Sequence, residues 1–230
     1  MLIIVDKKIP VEAKANLQQL GELLEIETTG IVYPAISGHP DIFFTQIDDQ
    51  LVVAPNLPSK YFDVLESAKI NFLTDENPVG SAYPETAKYN AVITSKYLVH
   101  NTKITDPKVL QLCENKLKIH VNQGYSRCNL IFLGENHAIT SDPGIAKCLN
   151  KNSVETLFVS PQGIDLPGFK NGFFGGCCGV FQDKFFVLGN LDKYPDGEKV
   201  RDFMRRIGFE IVELCDTELF DGGGVLFLDQ

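Results

Sequence analysis

The stretch that decides the fold reads NLIFLGENHAITSDPGIAKCLNKNSVETLFVS, residues 129–160. Its two short apolar segments, separated by a polar turn, are typical of a β-hairpin. A helical pattern follows from Asp142 and Pro143, because Asp caps helix N-termini and Pro suits the first helical position. ETLFVS then reads as another short strand. The stretch therefore predicts one strand–strand–helix–strand (ββαβ) unit.

The same order of elements recurs along the chain. Hairpins are predicted to begin near Asp41, Asn90, Asn129 and Cys178, and a fifth first strand near Gly224, at spacings of 49, 39, 49 and 46 residues. Periods of this size are typical of propellers, solenoids and repeat arrays. The fifth unit lacks its other parts at the C-terminus, but the N-terminal segments MLIIVD, VEAKANLQQLG and LLEIET supply a strand, a helix and a strand.

These repeats predict an α/β fold, a five-fold pseudo-symmetric ββαβ propeller whose ring is closed by its N- and C-terminal strands. Such a closure leaves no propeller edge strand unpaired. We expect residues 1–230 to form a single domain. The alternative is an ordinary α/β chain with coincidental spacing, although a doubly wound sheet alternates single strands, not hairpins, with helices.

Composition restricts the kinds of partner. The net charge is −9, and the 21 basic residues form no cluster. We therefore expect no nucleic acid and no membrane as partner, and a small cationic or zwitterionic molecule as ligand. The N-terminal apolar run is too short for a signal peptide and is followed by Asp6, so we expect a cytoplasmic location.

The six cysteines are then expected to be free thiols. They form no CxxC pair and show no Cys/His spacing that suits zinc. We expect neither a metal nor another cofactor.

The repeat contains four motifs: GHPDIFF (38–44), GYSRCNLIF (124–132), GGCCGVF (175–181) and ELFDGGGVLFL (218–228). With them, the chain resembles the penteins, the guanidino-group modifying enzymes, which include arginine deiminases, dimethylarginine hydrolases and amidinotransferases. The motifs also resemble an uncharacterised bacterial family with that fold. The resemblance implies a site around a central channel, where the first strand of each hairpin begins.

The enzyme motifs of that superfamily are mostly replaced here. Ser126–Asn129 stands where a Glu-Gly-Gly-Asp motif is expected, Gly176–Cys178 stands where His-x-Asp is expected, and the final DGGG lacks a cysteine. The resemblance implies a degenerate or atypical enzyme, a hydrolase or amidinotransferase-like protein acting on a guanidino- or amide-bearing small molecule. The alternative is a non-catalytic binding or scaffold protein of the same fold.

The predicted catalytic residues are Cys178, His39 and Asp41. A thiol near an imidazole and a carboxylate is the arrangement of an activated nucleophile, and the carboxylate would hold a guanidinium. His39 precedes Pro40, so its backbone should be extended. The alternative is that Cys178 fills a tight strand start and that His39 is bonded to backbone.

The predicted substrate-binding residues are Arg127, Asn129, Asp221 and Cys177, which occupy equivalent places in their units. Short polar side chains around a channel suit a cationic or amide-bearing ligand, and Arg127 suits a ligand carboxylate. The alternative is that Asp and Asn cap the backbone where each hairpin begins. Arg127 would then pair with Asp41 or Asp221.

Overall fold

The computed structural model describes residues 1–229, and the elements alternate as the sequence predicts. In chain order they are β1 (Leu2–Asp6), α1 (Val11–Gln18), β2 (Glu22–Ile26), α2 (Pro40–Phe43), β3 (Phe44–Ile47), β4 (Gln50–Val53), α3 (Ser59–Ser67), β5 (Phe72–Thr74), β6 (Val92–Ile93), β7 (Tyr97–His100), α4 (Pro107–Leu112), β8 (Leu117–His120), α5 (Ser126–Asn129), β9 (Leu130–Leu133), β10 (His137–Thr140), α6 (Pro143–Lys151), β11 (Glu155–Phe158), β12 (Ile164–Asp165), β13 (Cys178–Phe181), β14 (Lys184–Val187), α7 (Gly197–Ile207), β15 (Glu210–Glu213), β16 (Leu219–Phe220) and β17 (Leu226–Leu228).

Five three-stranded sheets share one topology. Their orders are β3-β4-β5, β6-β7-β8, β9-β10-β11, β13-β14-β15 and β17-β1-β2. In each, the first pair is antiparallel and the second pair is parallel. A helix connects the two parallel strands, as a parallel connection requires. The predicted ββαβ repeat is confirmed in every unit.

The chain ends pair as the repeat predicts. β17 lies antiparallel to β1, with Ile3 opposite Phe227, and β1 lies parallel to β2. The fifth sheet is therefore assembled from both ends of the chain.

Each of four connecting helices buries two side chains four residues apart, on the helix face that meets its sheet. These pairs are Ala13 and Leu17, Tyr61 and Leu65, Ile145 and Leu149, and Val200 and Met204. Asp106 and Asp142 accept hydrogen bonds from the first turns of α4 and α6, so the cap predicted at Asp142 is confirmed.

The strand starts differ from the prediction in one respect that matters for the site. The short helices α2 and α5 precede β3 and β9, and a 3₁₀ turn at Phe174–Cys177 precedes β13. Asp41 and Asn129 therefore lie on helical turns and not on strands. Among residues 1–229, no helix is long and apolar enough to cross a bilayer.

Candidate functional site

His39 and Asp41 are fixed by the start of α2. Pro40 occupies the first position of that helix, and His39 has the extended backbone predicted for a residue before proline, with φ −63° and ψ 118°. Both side chains are buried, His39 to 1% and Asp41 to 0% exposure. The turn therefore directs an imidazole and a carboxyl group into the interior.

The thiol beside them belongs to Cys128, on α5. Cys128 Sγ donates a hydrogen bond to Asp41 Oδ2 over 2.8 Å. One side-chain nitrogen, oxygen or sulfur atom from each of His39, Asp41 and Cys128 lies within 4.8 Å of the corresponding atoms of the other two. A cysteine, a histidine and an aspartate thus meet in the interior from two different repeats.

Asn90 holds this arrangement together. Its Oδ1 accepts hydrogen bonds from the backbone N–H groups of Arg127 (2.7 Å) and Cys128 (3.2 Å). Its Nδ2 donates to the carbonyl of Asp41 (3.0 Å) and lies 3.4 Å from Cys128 Sγ. Asn90 is fully buried, and it links α2 to α5 across the strand start of its own unit.

Two further carboxyl groups flank His39. Its Nε2 lies 3.9 Å from Asp6 Oδ2, and its Nδ1 lies 4.0 Å from Asp221 Oδ1. Both distances are too long for hydrogen bonds. We call Asp6, His39, Asp41, Cys128 and Asp221 the acidic cluster, and all five are at most 3% exposed.

Several polar atoms of the acidic cluster have no hydrogen-bond partner among the described residues. They are Asp6 Oδ2, His39 Nδ1 and Asp41 Oδ1. Buried polar atoms in native proteins are almost always satisfied, so three unpartnered atoms in one cluster distinguish this place from the rest of the described core.

Burial controls the protonation of the cluster. It raises the pKa of Asp6 and that of Asp41 to about 6. Burial, reinforced by the charge of Asp41, raises the pKa of Asp221 to about 7. Burial and the charge of Lys8 lower the pKa of His39 to about 3. The imidazole is therefore neutral at pH 7, and the charges of Lys8 near Asp6 and of Arg127 near Asp41 offset the effect of burial only in part.

The glycines of two motifs allow close packing around the cluster. A methyl group at Gly176 would overlap Asp221 Oδ1, and one at Gly223 would overlap the His39 side chain. Gly223 also has φ +69°, a conformation that side chains disfavour. Asp221 accepts hydrogen bonds from the backbone N–H groups of Phe173 (2.8 Å) and Gly223 (3.1 Å).

Aromatic side chains adjoin the cluster. Tyr33 donates to the hydroxyl of Tyr125 over 3.2 Å, and the Tyr33 ring lies 5.9 Å from that of Phe169. Burial raises the pKa of Tyr33, and nearby Cys128 and Asp41 add to the effect. Phe169 is 53% exposed and lies in the long segment 161–176, so this group of aromatic side chains extends from the cluster to the protein surface.

The predicted nucleophile, Cys178, lies elsewhere. Its Sγ donates to the carbonyl of Phe174 over 3.1 Å, and the neighbouring Cys177 donates to that of Phe173 over 3.4 Å. Both thiols are fully buried in an apolar core that includes Phe174 and Phe185. The structure thus places Cys128, not Cys178, beside His39 and Asp41.

The other predicted binding residues divide between two roles. Asn129 bonds the carbonyl of Tyr125 and the hydroxyl of Ser141, so it supports the backbone at its strand start. Within residues 1–229, Arg127 forms no ion pair with a carboxylate. Its guanidinium donates to the carbonyls of Gly175 (2.8 Å) and Cys178 (3.2 Å).

Sequence reasoning missed three residues of the site: Cys128, Asn90 and Asp6. Asn90 and Cys128 stand at or beside the equivalent strand-start positions, which is the signal that identified their neighbours. Asp6 is the last residue of β1, directly after the apolar run LIIV, and a charged residue at the end of a buried strand is also a usable signal.

The side-chain types of His39, Asp41 and Cys128 are those that zinc prefers as ligands.

The family comparison covers almost the whole chain. The model of the "Family of unknown function (DUF6873)" matches residues 4–226. No curated protein sequence matches the chain.

Solved structures of similar fold are guanidino-modifying enzymes. SxtG, an amidinotransferase from Microseira wollei, is 13% identical with a TM-score of 0.55, over 94% of this chain and 88% of that one. DDAH from Pseudomonas aeruginosa, solved with citrulline, is 10% identical with a TM-score of 0.53, over 94% and 92%. Agmatine deiminase from C. jejuni is 10% identical with a TM-score of 0.55, over 93% and 74%.

These three enzymes are penteins, and at such low identities the likeness concerns the fold. The resemblance seen in the repeat and its motifs is confirmed at that level. The chain therefore has the pentein fold and belongs to the family of unknown function DUF6873.

Proposed function

We propose that the acidic cluster binds the guanidinium or amide group of a small molecule and that Cys128 modifies it. The observation that carries the proposal is the set of orphaned buried atoms on Asp6, His39 and Asp41. A guanidinium is a planar cation with N–H donors directed outward, which suits buried carboxyl oxygens that lack donors.

The closed ring is part of the proposal: one domain of five units around a central axis. The five sheets of equal topology and the pairing of β1 with β17 support it. A cavity lined by residues from the first strands of all five sheets supports it as well. Around such an axis, the residues that precede each first strand converge, and the acidic cluster consists largely of those residues.

In this proposal, the positive charge of the bound substrate activates the Cys128 thiol. Burial and the Asp41 charge raise the pKa of Cys128 well above its usual range. A bound cation between Asp41 and Asp221 would offset both effects and favour the thiolate. The protein would then be reactive only when a cationic substrate is present.

The reaction proposed is hydrolysis of the guanidinium. Asp41 accepts the thiol proton, and the Cys128 sulfur forms a bond to the guanidinium carbon while one C–N π pair moves onto nitrogen. The C–N bond to the departing nitrogen breaks as Asp41 returns that proton to it, and ammonia leaves. Water then adds to the thiouronium carbon and gives one proton to Asp41. The C–S bond breaks as Asp41 passes this proton to sulfur, the second water proton converts ammonia to ammonium, and a urea product and the free thiol are released.

A non-catalytic binding or scaffold role is the second candidate. The complete burial of the acidic cluster favours it, because substrate must displace cover such as Tyr33 and Phe169 before it reaches the thiol. A tightly enclosed cluster of this kind suits a ligand that is retained.

Agmatine tests the two candidates together. Saturating agmatine should raise the unfolding temperature by about 5–10 °C at a hundred-fold excess over Kd. Ammonia release should fall by at least about 10³-fold in Cys128→Ser, which keeps the hydrogen bond to Asp41 but not the nucleophile. Cys148→Ser, at a half-buried thiol on α6, is the matched control and should react like the wild type.

Stabilisation without product would favour the binding role. If neither agmatine nor other guanidinium compounds stabilise the protein, or if Cys128→Ser releases ammonia at the wild-type rate, the proposal is wrong.

A further inference from the structure

We propose that the cavity between the five first strands binds a small apolar carboxylate, with Arg127 as its anchor. The proposal goes beyond the function above, because no member of the acidic cluster lines this cavity.

Most of the side chains that line the cavity are apolar. Among the described residues, Gln46 and Arg127 contribute polar side chains, and the other lining residues are Phe44, Ala91, Val92, Ile93, Ile131, Phe132, Val180, Val225, Leu226 and Phe227. The volume is about 180 Å³. A cavity of about 150 Å³ accepts a benzene ring, so a six-membered ring with one small substituent suits this space by volume.

Arg127 brings a cation without a direct ion pair to this wall, although its charge also acts on Asp41. Among the described residues, it forms no salt bridge within 4.0 Å. Its two hydrogen bonds go to neutral carbonyls, of Gly175 and Cys178, which leaves three of the five N–H donors of a guanidinium. A half-buried guanidinium beside apolar side chains gains more from an anion than an exposed one, and a carboxylate matches its fork-shaped geometry.

The two ends of the cavity differ in a way that orients the ligand. Ala91, Arg127 and Val225 precede their strands and line the end where the strands begin, and of these the Ala91 and Val225 side chains are buried. Farther along the strands, Gln46 is exposed, and Ile93 and Val180 are half-buried, so the cavity opens there. The carboxylate would therefore lie at the inner end, with the apolar part of the ligand toward the opening.

Benzoate is the probe for the full-length protein, measured by isothermal titration calorimetry at low ionic strength. A ligand of this size is expected to bind with a Kd on the order of 1 mM. Benzamide, which has the same shape without the charge, should bind the wild type at least about tenfold more weakly. That comparison needs no variant and so does not depend on folding.

Two variants locate the binding. Arg127→Gln should weaken benzoate at least about tenfold, whereas Lys199→Gln removes an exposed cation on α7 and should change nothing. Ile93→Trp should obstruct the opening and abolish binding while leaving the Arg127 hydrogen bonds intact, which covers the case that Arg127→Gln does not fold. No benzoate binding to the wild type, equal affinity for benzamide, or unchanged affinity in either cavity variant would overturn the proposal.

Discussion

Cys128 and Cys178 occupy related positions in successive units, yet their surroundings are opposite. Cys128 ends a helical turn beside two polar residues, Asp41 and Asn90, and its thiol bonds a carboxylate. Cys178 begins its strand inside an apolar core, and its thiol bonds only a backbone carbonyl. The repeat thus fixes the backbone position of each cysteine, whereas the neighbouring units supply the side chains that surround it.

The largest expected difference between the two regions concerns Asn90. Asn90→Ala should destabilise the protein by about 4 kcal/mol, because it leaves the backbone N–H of Cys128 without its acceptor and the carbonyl of Asp41 without its donor, both buried. Urea unfolding provides the measurement. Asn101→Ala is the control, since that side chain accepts one exposed hydrogen bond from Lys103 and should cost less than about 1 kcal/mol. Equal losses of stability in the two variants would mean that the hydrogen bonds of Asn90 around Cys128 contribute no more to stability than one exposed hydrogen bond.

The repeat explains why so much of the fold could be predicted. Alternating apolar strands, polar turns and the Asp-Pro helix starts at Asp106 and Asp142 are local signals, and the structure follows each of them. The pairing of β1 with β17 could also be predicted, because an incomplete fifth unit needed its missing parts.

The site could be predicted only in part. His39 and Asp41 were predicted because they lie at a strand start, but the thiol that lies beside them, Cys128, belongs to a different unit from the predicted Cys178. The bond between Cys128 and Asp41 joins residues 87 positions apart, and four-residue helical turns rotate the side chains just before the strands. Sequence spacing does not reveal that rotation, which depends on how neighbouring units pack. The pairing of β12 with β16, beside Asp221, was missed for the same reason.

The next effect in size is a pH dependence that belongs to the polar region alone. The pKa of Asp221 rises from 3.8 to about 7 on folding, so the folded state holds a proton that the unfolded state releases between those values. This group alone should therefore make stability fall by about 3 kcal/mol between pH 4 and pH 7, whereas the buried neutral His39, whose pKa is lowered from 6.5 to about 3, acts in the opposite direction below pH 6.5.

The variant Asp221→Asn should remove much of this slope and should be more stable than the wild type at pH 8. Urea midpoints measured between pH 4 and pH 8.5 give the slopes. Asp63→Asn, at an exposed position on α3, should keep the wild-type slope. Equal slopes in the wild type and in Asp221→Asn would show that Asp221 does not retain its proton in the folded state.

The smallest effect is a preference between two alkylating reagents, and it tests the comparison most directly. Burial raises the pKa of both thiols, so neutral iodoacetamide should label Cys128 and Cys178 slowly. Chloroacetamidine carries an amidinium, which Asp41 and Asp221 attract near Cys128, whereas near Cys178 the positive charge of Arg127 opposes the attraction of Asp221. Relative to iodoacetamide, it should favour Cys128 over Cys178 by about tenfold, or 1.4 kcal/mol. Peptide mass spectrometry after limited labelling gives the ratio, and Asp41→Asn should reduce it. The same ratio with both reagents would mean that the two thiols differ in their neighbours but not in the charge that those neighbours present to a ligand.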